Sequence, residues 1–187
     1  TGVYGKWKRA PYDESDKVKP TTQHHISKHN AEKFIISNHS NYLILRVGWL
    51  FGGSIDRNKN FVANRIREIE GSNGIIYADK YQVGNPTYVR DLAIQLLLII
   101  ENRLEGVFNC VNEGVASRLE YIEEIVFNCN FNCKVLANGS FSRLAPVSNN
   151  ESAINKRLED MGLNIMPCWK SSLKSYMLTI GFNEKSS

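Results

Sequence analysis

The sequence has no long hydrophobic run and no cluster of metal-ligating residues. Its longest apolar stretch, 96–100, is far shorter than the roughly 20 residues that a membrane-spanning helix needs. None of the four cysteines (Cys110, Cys129, Cys133 and Cys168) has the paired spacing of a metal site. Residues 1–6 do not resemble a secretory signal peptide. We therefore expect free thiols, no metal, no membrane contact and a cytoplasmic protein.

The sequence also lacks a long run of charges of one sign. The chain has 23 Lys and Arg against 19 Asp and Glu, a net charge of +4 over 187 residues. The one local excess, Lys6, Lys8 and Arg9, is typical of a solvated loop. A nucleic-acid partner is therefore not expected.

Strands and helices alternate along the chain. Ser117-x-x-Glu120 has the form of a capping box, and a turn at 82–87 built on Gly84 and Pro86 leads into a helix that Thr87 is suited to cap. This alternation predicts an α/β protein with parallel strand pairs. The predicted strands are 42–45, 74–77, 107–111, 134–136 and a strand end at 1–4; the predicted helices are about 23–38, 60–69, 88–100, 117–128, 151–161 and 168–180.

Two segments carry a resemblance to a known family. Residues 82–87 are similar to Gln-x-Gly-x-Pro-Thr of the dTDP-4-dehydrorhamnose reductases, a branch of the extended short-chain dehydrogenase/reductases, although Tyr81 replaces the family's preceding Asp. Residues 45–52, Leu-Arg-Val-Gly-Trp-Leu-Phe-Gly, resemble the same family. The resemblance extends from Thr1 to about Tyr176. It implies the C-terminal part of a Rossmann-like extended short-chain dehydrogenase, with parallel strands and a small substrate-binding region.

The resemblance also implies an organisation for the chain. Residues 1–187 would form a single unit, with 1–60 as the end of the Rossmann-like sheet and its catalytic helix, and 61–187 mainly binding substrate. No glycine-rich dinucleotide fingerprint lies between a strand and a helix. NADPH or NADH would therefore be bound mainly by residues upstream of Thr1, and we expect this chain alone to be inactive. The resemblance is compatible with a homodimer.

The catalytic residues implied by the resemblance are His24, Lys28 and Thr1. The family carries Tyr-x3-Lys on one face of a helix; here Lys28 falls on the lysine, and His24 on the tyrosine. Lys28 would hold the nicotinamide ribose, and a hydroxyl at Thr1 or just before it would bond the substrate oxygen. An imidazole, with an ordinary pKa of about 6.5, can act as an acid. Alternatively the site has lost its acid, or this is a surface helix with a histidine pair.

The resemblance implies two groups of binding residues. Val47 and Gly48 would approach the nicotinamide, and five other residues would contact the sugar nucleotide. A different interpretation stays open for some of these: a tryptophan in a core, an asparagine that caps a helix, or a turn that is purely structural. The five substrate candidates are Trp49, Asn60, Phe61, Gln82 and Arg143, of which Arg143 is a candidate for a diphosphate near Ala145, where the family usually has an arginine.

These residues predict a function and two rivals. The leading hypothesis is NAD(P)-dependent reduction of a 4-keto-deoxysugar nucleotide, with this chain supplying the substrate-binding half of an oxidoreductase of polysaccharide biosynthesis. The first rival is a non-catalytic sugar-nucleotide-binding or regulatory homologue that lost the catalytic tyrosine. The second is a sugar-nucleotide epimerase or dehydratase of the same superfamily.

Overall fold

The helices and strands alternate as the sequence predicts. The computed structural model of the protein describes residues 1–138 and 145–182. A short 3-10 helix at Gly2–Tyr4 precedes the first α-helix. The α-helices are α1 (Gln23–Asn38), α2 (Phe61–Glu70), α3 (Val89–Glu101), α4 (Arg118–Cys129), α5 (Lys156–Asp160) and α6 (Trp169–Thr179). The strands are β1 (Leu43–Arg46), β2 (Trp49–Phe51), β3 (Ile75–Ala78), β4 (Val83–Gly84), β5 (Pro86–Tyr88), β6 (Gly106–Asn109), β7 (Ala116–Ser117) and β8 (Lys134–Ala137).

Three of the strand pairs in the described residues are parallel. β1 pairs with β6, β2 with β5 and β3 with β8, whereas the short β4 and β7 pair antiparallel. Parallel pairing requires long crossover connections, which α2 and α3 supply between β1 and β6. The register Trp49↔Pro86 places the turn after β4 directly beside the residues that follow β1.

The main core is aromatic and lies between α2, α4 and α6. Phe51 stacks on Tyr88 with ring centroids 5.3 Å apart, and Tyr121 stacks on Phe61 at 5.0 Å. Aromatic pairs of this kind add to the free energy gained by burial. A second cluster, Ile99, Phe108 and Leu158, lies beneath β1 and β6. The two clusters fix the strand ends on which the site is built.

Helix α1 is held to the sheet mainly by charge. Glu32 is its one buried residue, and Phe34 is 64% exposed. The Glu32 carboxylate accepts two bonds from Arg46 of β1, at 3.0 Å from Nε and 2.9 Å from Nη2. A bidentate pair of this geometry fixes orientation as well as distance. It therefore sets how the start of α1 faces the end of β1.

Most of the predicted elements are confirmed. Helix α1 has the predicted bounds, and the capping box of Ser117 and Glu120 is present at the start of α4. β3 and β8 lie within one residue of their predicted positions. The alternation of element types along the chain was therefore sufficient to predict the fold class.

Three local predictions were wrong. Residues 1–4 are not a strand end: Tyr4 N donates to Thr1 O at 3.1 Å in a 3-10 turn that Gly5 ends at a φ of 85°. Thr87 does not cap α3, because its hydroxyl donates to the Asn85 carbonyl at 3.1 Å, and the cap position is Tyr88.

The third error is the helix predicted at 151–161, of which only α5 forms. Residues 150–155 are not helical, because their backbone and side chains bond to other segments of the chain. Asn155 Nδ2 donates to the Val111 carbonyl at 2.8 Å, and Glu151 N donates to the Val83 carbonyl at 2.9 Å. Tertiary hydrogen bonds here outweigh local helical periodicity.

Among residues 1–138 and 145–182, no helix has both the length and the apolar character needed to cross a membrane.

Candidate active site

One cleft brings together six of the predicted site residues. It has a volume of about 450 Å³ and lies between the start of α1 and the residues that follow β1. Its walls also include Glu32, Arg46 and Glu151. The six predicted residues that line it are Thr1, His24, Lys28, Val47, Gly48 and Trp49.

The first turns of α1 form one wall of this cleft. Thr22 caps the helix, accepting a bond from His25 N at 3.2 Å. His24 and Lys28 are both exposed and lie four residues apart, hence on one face of the helix. Within the described residues the Lys28 ammonium has no ion-pair partner. This wall therefore presents an imidazole and a cation to the cleft.

The floor of the cleft is a buried polar chain. Arg46 bonds Glu32 as described above, and its Nη1 donates to the Tyr4 hydroxyl at 3.1 Å. The Tyr4 hydroxyl donates in turn to Asn109 Oδ1 at 2.7 Å. Burial of Glu32 favours a higher pKa, but hydrogen bonds and charge from Arg46 outweigh it and hold the pKa of the carboxyl below its ordinary value. Burial raises the pKa of Tyr4 to about 12, so the phenol stays neutral.

Thr1 lies beside the residues that follow β1. Its backbone nitrogen donates to the Val47 carbonyl. Gly48 follows, and a Cβ there would be 2.6 Å from the Asn85 carbonyl oxygen, so a side chain is excluded. The backbone at 47–48 can therefore approach both the cleft and the turn after β4 closely.

The Trp49 indole forms the opposite wall and is held on three sides. Its Nε1 donates to Glu151 Oε2 at 2.8 Å. The Arg118 guanidinium lies 3.5 Å from the ring centroid, a cation–π distance. A Cβ on Gly84 would be 2.5 Å from the indole, so the glycine leaves the space that the ring occupies.

Three predicted substrate residues do not line this cleft. Asn60 caps α2, accepting from Ala63 N at 3.1 Å, and its Nδ2 donates to the Tyr176 hydroxyl at 2.7 Å. Phe61 packs in the aromatic core. Gln82 is buried, and its Oε1 accepts from Arg118 Nε at 3.2 Å. The Arg118 guanidinium is also 5.2 Å from the Phe61 ring. Arg118 therefore links Gln82 and Phe61 to Trp49, and neither of these two residues lines the cleft itself.

Arg143, the predicted diphosphate ligand, lies outside the described residues. The nearest described segment in sequence, 145–147, lines a second pocket together with Thr21 to His25. His24 and His25 line both this pocket and the main cleft.

Sequence reasoning missed three residues of the site: His25, Arg118 and Glu151. His25 faces the Glu151 carboxylate, with Nε2 4.0 Å from Oε1. Burial lowers the pKa of His25, the Glu151 charge raises it, and the net shift is downward. Glu151 comes from a segment about 100 residues from Trp49 in sequence, so no local pattern links the two. The two adjacent histidines are evident in the sequence, but only His24 has a counterpart in the family motif.

Comparison with known proteins shows the family of the chain. A family model described as the RmlD substrate binding domain matches residues 3–181. The chain belongs to this family. The resemblance inferred from residues 82–87 and 45–52 is thereby confirmed.

Among characterised relatives, the dTDP-4-dehydrorhamnose reductase of Mycobacterium tuberculosis H37Rv is 27% identical over 176 residues, which cover 92% of this chain and 57% of that protein. The dTDP-4-dehydrorhamnose reductase structure from Clostridium acetobutylicum has a TM-score of 0.90 and 29% identity, covering 96% of this chain and 63% of that one. The Bacillus anthracis enzyme, solved in complex with NADP, has a TM-score of 0.85 and 27% identity, covering 95% and 62%.

These likenesses confirm the α/β, Rossmann-like fold class of the RmlD-family chain. They also show a difference in length, since the chain spans little more than half of the curated relative that it matches.

Proposed function

We propose that this chain supplies the substrate-binding half of a reductase that converts the 4-keto group of a deoxysugar nucleotide to an alcohol. The observation that supports the proposal best is the single cleft in which His24, Lys28 and Trp49 meet. Family membership and relatives named as dTDP-4-dehydrorhamnose reductases support the same reaction class. In this proposal residues 1–60 carry the catalytic helix, and 61–187 mainly shape the substrate region.

The proposed proton chemistry belongs to His24. Reduction of a ketone needs a proton on the oxygen as hydride reaches the carbon. A protonated imidazole can donate that proton near neutral pH. Lys28 lies one turn away on the same face of α1 and so can bind the cofactor beside the proton donor. A hydroxyl at Thr1 would orient the same oxygen.

The donor set of the cleft fits a nicotinamide cofactor. Lys28 presents an ammonium group that has no ion-pair partner in the described part of the chain, with three N–H donors suited to ribose hydroxyls, beside the backbone of Val47 and Gly48. When bound, NADPH or NADH supplies the hydride. In this proposal Lys28 orients the ribose, Val47 and Gly48 bound the nicotinamide side, and Trp49 limits access of water to the sugar. We also propose a cytoplasmic location, where such cofactors are available.

The remaining predicted contacts have supporting roles in this proposal. Gln82 and Phe61 would act on the substrate through Arg118, which they flank behind Trp49. Asn60 would fix the start of α2 rather than touch the sugar. Arg143 remains the candidate for the diphosphate, because a guanidinium forms paired, charge-assisted bonds to phosphate oxygens.

The proposal is tested by oxidation of reduced nicotinamide in the presence of 4-keto-sugar nucleotides, using the full-length protein. His24→Phe should abolish turnover because phenylalanine has no proton to donate. His24→Tyr should restore turnover, and His39→Phe, an exposed histidine directly after the same helix, is the matched control. A His24→Phe variant as active as the wild type would contradict the assignment. Binding of a sugar nucleotide without turnover would instead favour the non-catalytic rival.

A further inference from the structure

Glu151 joins the two walls of the cleft. Its Oε2 accepts from the Trp49 indole at 2.8 Å, while its Oε1 faces His25 Nε2 at 4.0 Å. Glu151 is 7% exposed, so both contacts are made largely out of water. A Cβ on Gly2 would lie 2.2 Å from the His25 ring and 2.8 Å from Glu151 Oε1. The missing side chain at Gly2 therefore leaves room for this arrangement.

The backbone that carries Glu151 is itself fixed. Glu151 N donates to the Val83 carbonyl at 2.9 Å. On either side, Asn150 Nδ2 donates to the Lys8 carbonyl at 2.9 Å, and Ala153 N donates to Asn85 Oδ1 at 2.8 Å. A buried carboxylate on a fixed backbone can hold a neighbouring side chain in one orientation.

We propose that Glu151 is a positioning residue that fixes the Trp49 indole on one wall of the cleft and the imidazole of His25, with the first turn of α1, on the other. The inference rests on the proposed function only for the ligand that enters the cleft. Glu151 acts through Trp49 and His25, without touching the reacting atoms. The separation of the indole from the His24 helix is then set by one carboxylate.

The two contacts of Glu151 differ in chemistry, so one substitution can remove the contact with His25 and keep the contact with Trp49. The indole N–H needs only an acceptor, and a glutamine oxygen at 151 can replace the carboxylate. The imidazole contact depends on charge once His25 is protonated, and a neutral amide loses that attraction. The titratable groups that face His25 are Glu151, the amino group of Thr1 and His24, whose ring centroid is 5.3 Å away. The His25 Nδ1 atom is buried without a partner among the described residues.

The test follows the indole N–H resonance of Trp49 by NMR, assigned with Trp49→Phe. In Glu151→Ala, exchange of this proton with water should accelerate by about tenfold to a hundredfold, the usual worth of a hydrogen bond to a charged group. Glu151→Gln should keep slow exchange but remove the dependence of the resonance on pH below about 6.5, the range in which an imidazole with a lowered pKa becomes protonated. His25→Gln should remove that dependence as well, and Glu159→Gln, on an exposed carboxylate, should change neither property.

Unchanged indole exchange in Glu151→Ala would overturn the proposal. If that variant does not fold, a pH-dependent indole shift that persists in both Glu151→Gln and His25→Gln would overturn it. Binding of a thymidine diphosphate sugar should weaken about tenfold or more in Glu151→Ala, for the same loss of one charged bond. A wild-type protein that binds no sugar nucleotide, yet shows the predicted indole behaviour, would refute the proposed function and support the positioning role.

Discussion

The buried ion pair between Glu32 and Arg46 provides a sharp test of how α1 is attached. Replacing Glu32 with alanine leaves the Arg46 guanidinium buried without its carboxylate. Loss of one partner of a buried pair typically costs about 3–5 kcal/mol. The two side chains are 10% and 9% exposed, and Arg46 keeps its bond to Tyr4. We therefore expect a loss near the lower limit, about 3 kcal/mol.

The measurement is the free energy of unfolding in urea at neutral pH. Glu68→Ala is the matched control, because the Arg65–Glu68 pair is a helix-surface contact whose Glu is 40% exposed; it should cost less than about 1 kcal/mol. The double variant Glu32→Leu with Arg46→Met should recover most of the loss, since no unpaired charge remains. A loss below about 1 kcal/mol in Glu32→Ala would refute the claim that this pair holds α1.

Three further predictions concern other parts of the site. Gly84→Ala places a Cβ 2.5 Å from the Trp49 indole and should lower stability by about 1–3 kcal/mol in thermal unfolding. Gly71→Ala is the control: its Cβ would lie 3.4 Å from its nearest neighbour, so stability should not fall. Ser117→Ala removes the bond to Glu120 N at 3.1 Å and should cost about 1 kcal/mol in urea unfolding; a change below a few tenths would contradict the cap. Because the pKa of His25 is lowered in the folded state, the unfolded chain binds more protons, so stability should be complete above about pH 6.5 and fall below it. His25→Gln should flatten this pH dependence of the urea midpoint, and an unchanged slope would show that His25 is not its source.

The fold was largely predictable because its determinants are local. The capping box at Ser117, the bounds of α1 and the apolar runs of β1 and β3 each depend on residues near one another in sequence. The cleft was predictable in part, because a family motif fixes the position of His24, Lys28 and Trp49. The predicted role of each of these residues stays a prediction.

The parts that sequence reasoning missed depend on long-range contacts. Glu151 contacts Trp49 and faces His25 across sequence separations that no periodicity reveals. Arg118 contacts Trp49 because β2 pairs with β5 and β4 pairs with β7, the strand that precedes Arg118. Other long-range bonds, such as that from Asn155 Nδ2 to the Val111 carbonyl, keep residues 150–155 out of a helix. The error at Thr87 has a local cause, because a hydroxyl that precedes a helix can donate to a nearby carbonyl instead of capping the helix.

The central claim is that the cleft between α1 and Trp49 binds the sugar nucleotide. Its most direct test is titration of the protein with a thymidine diphosphate sugar, observed by NMR shifts of backbone and indole N–H groups. We expect the largest shifts at His24, Lys28 and Trp49, and we expect these shifts to be lost in Trp49→Ala. A second pocket lies between α4 and α6 and is lined by Glu124 and Lys170 among others. Absence of binding, or shifts confined to that second pocket, would contradict the claim.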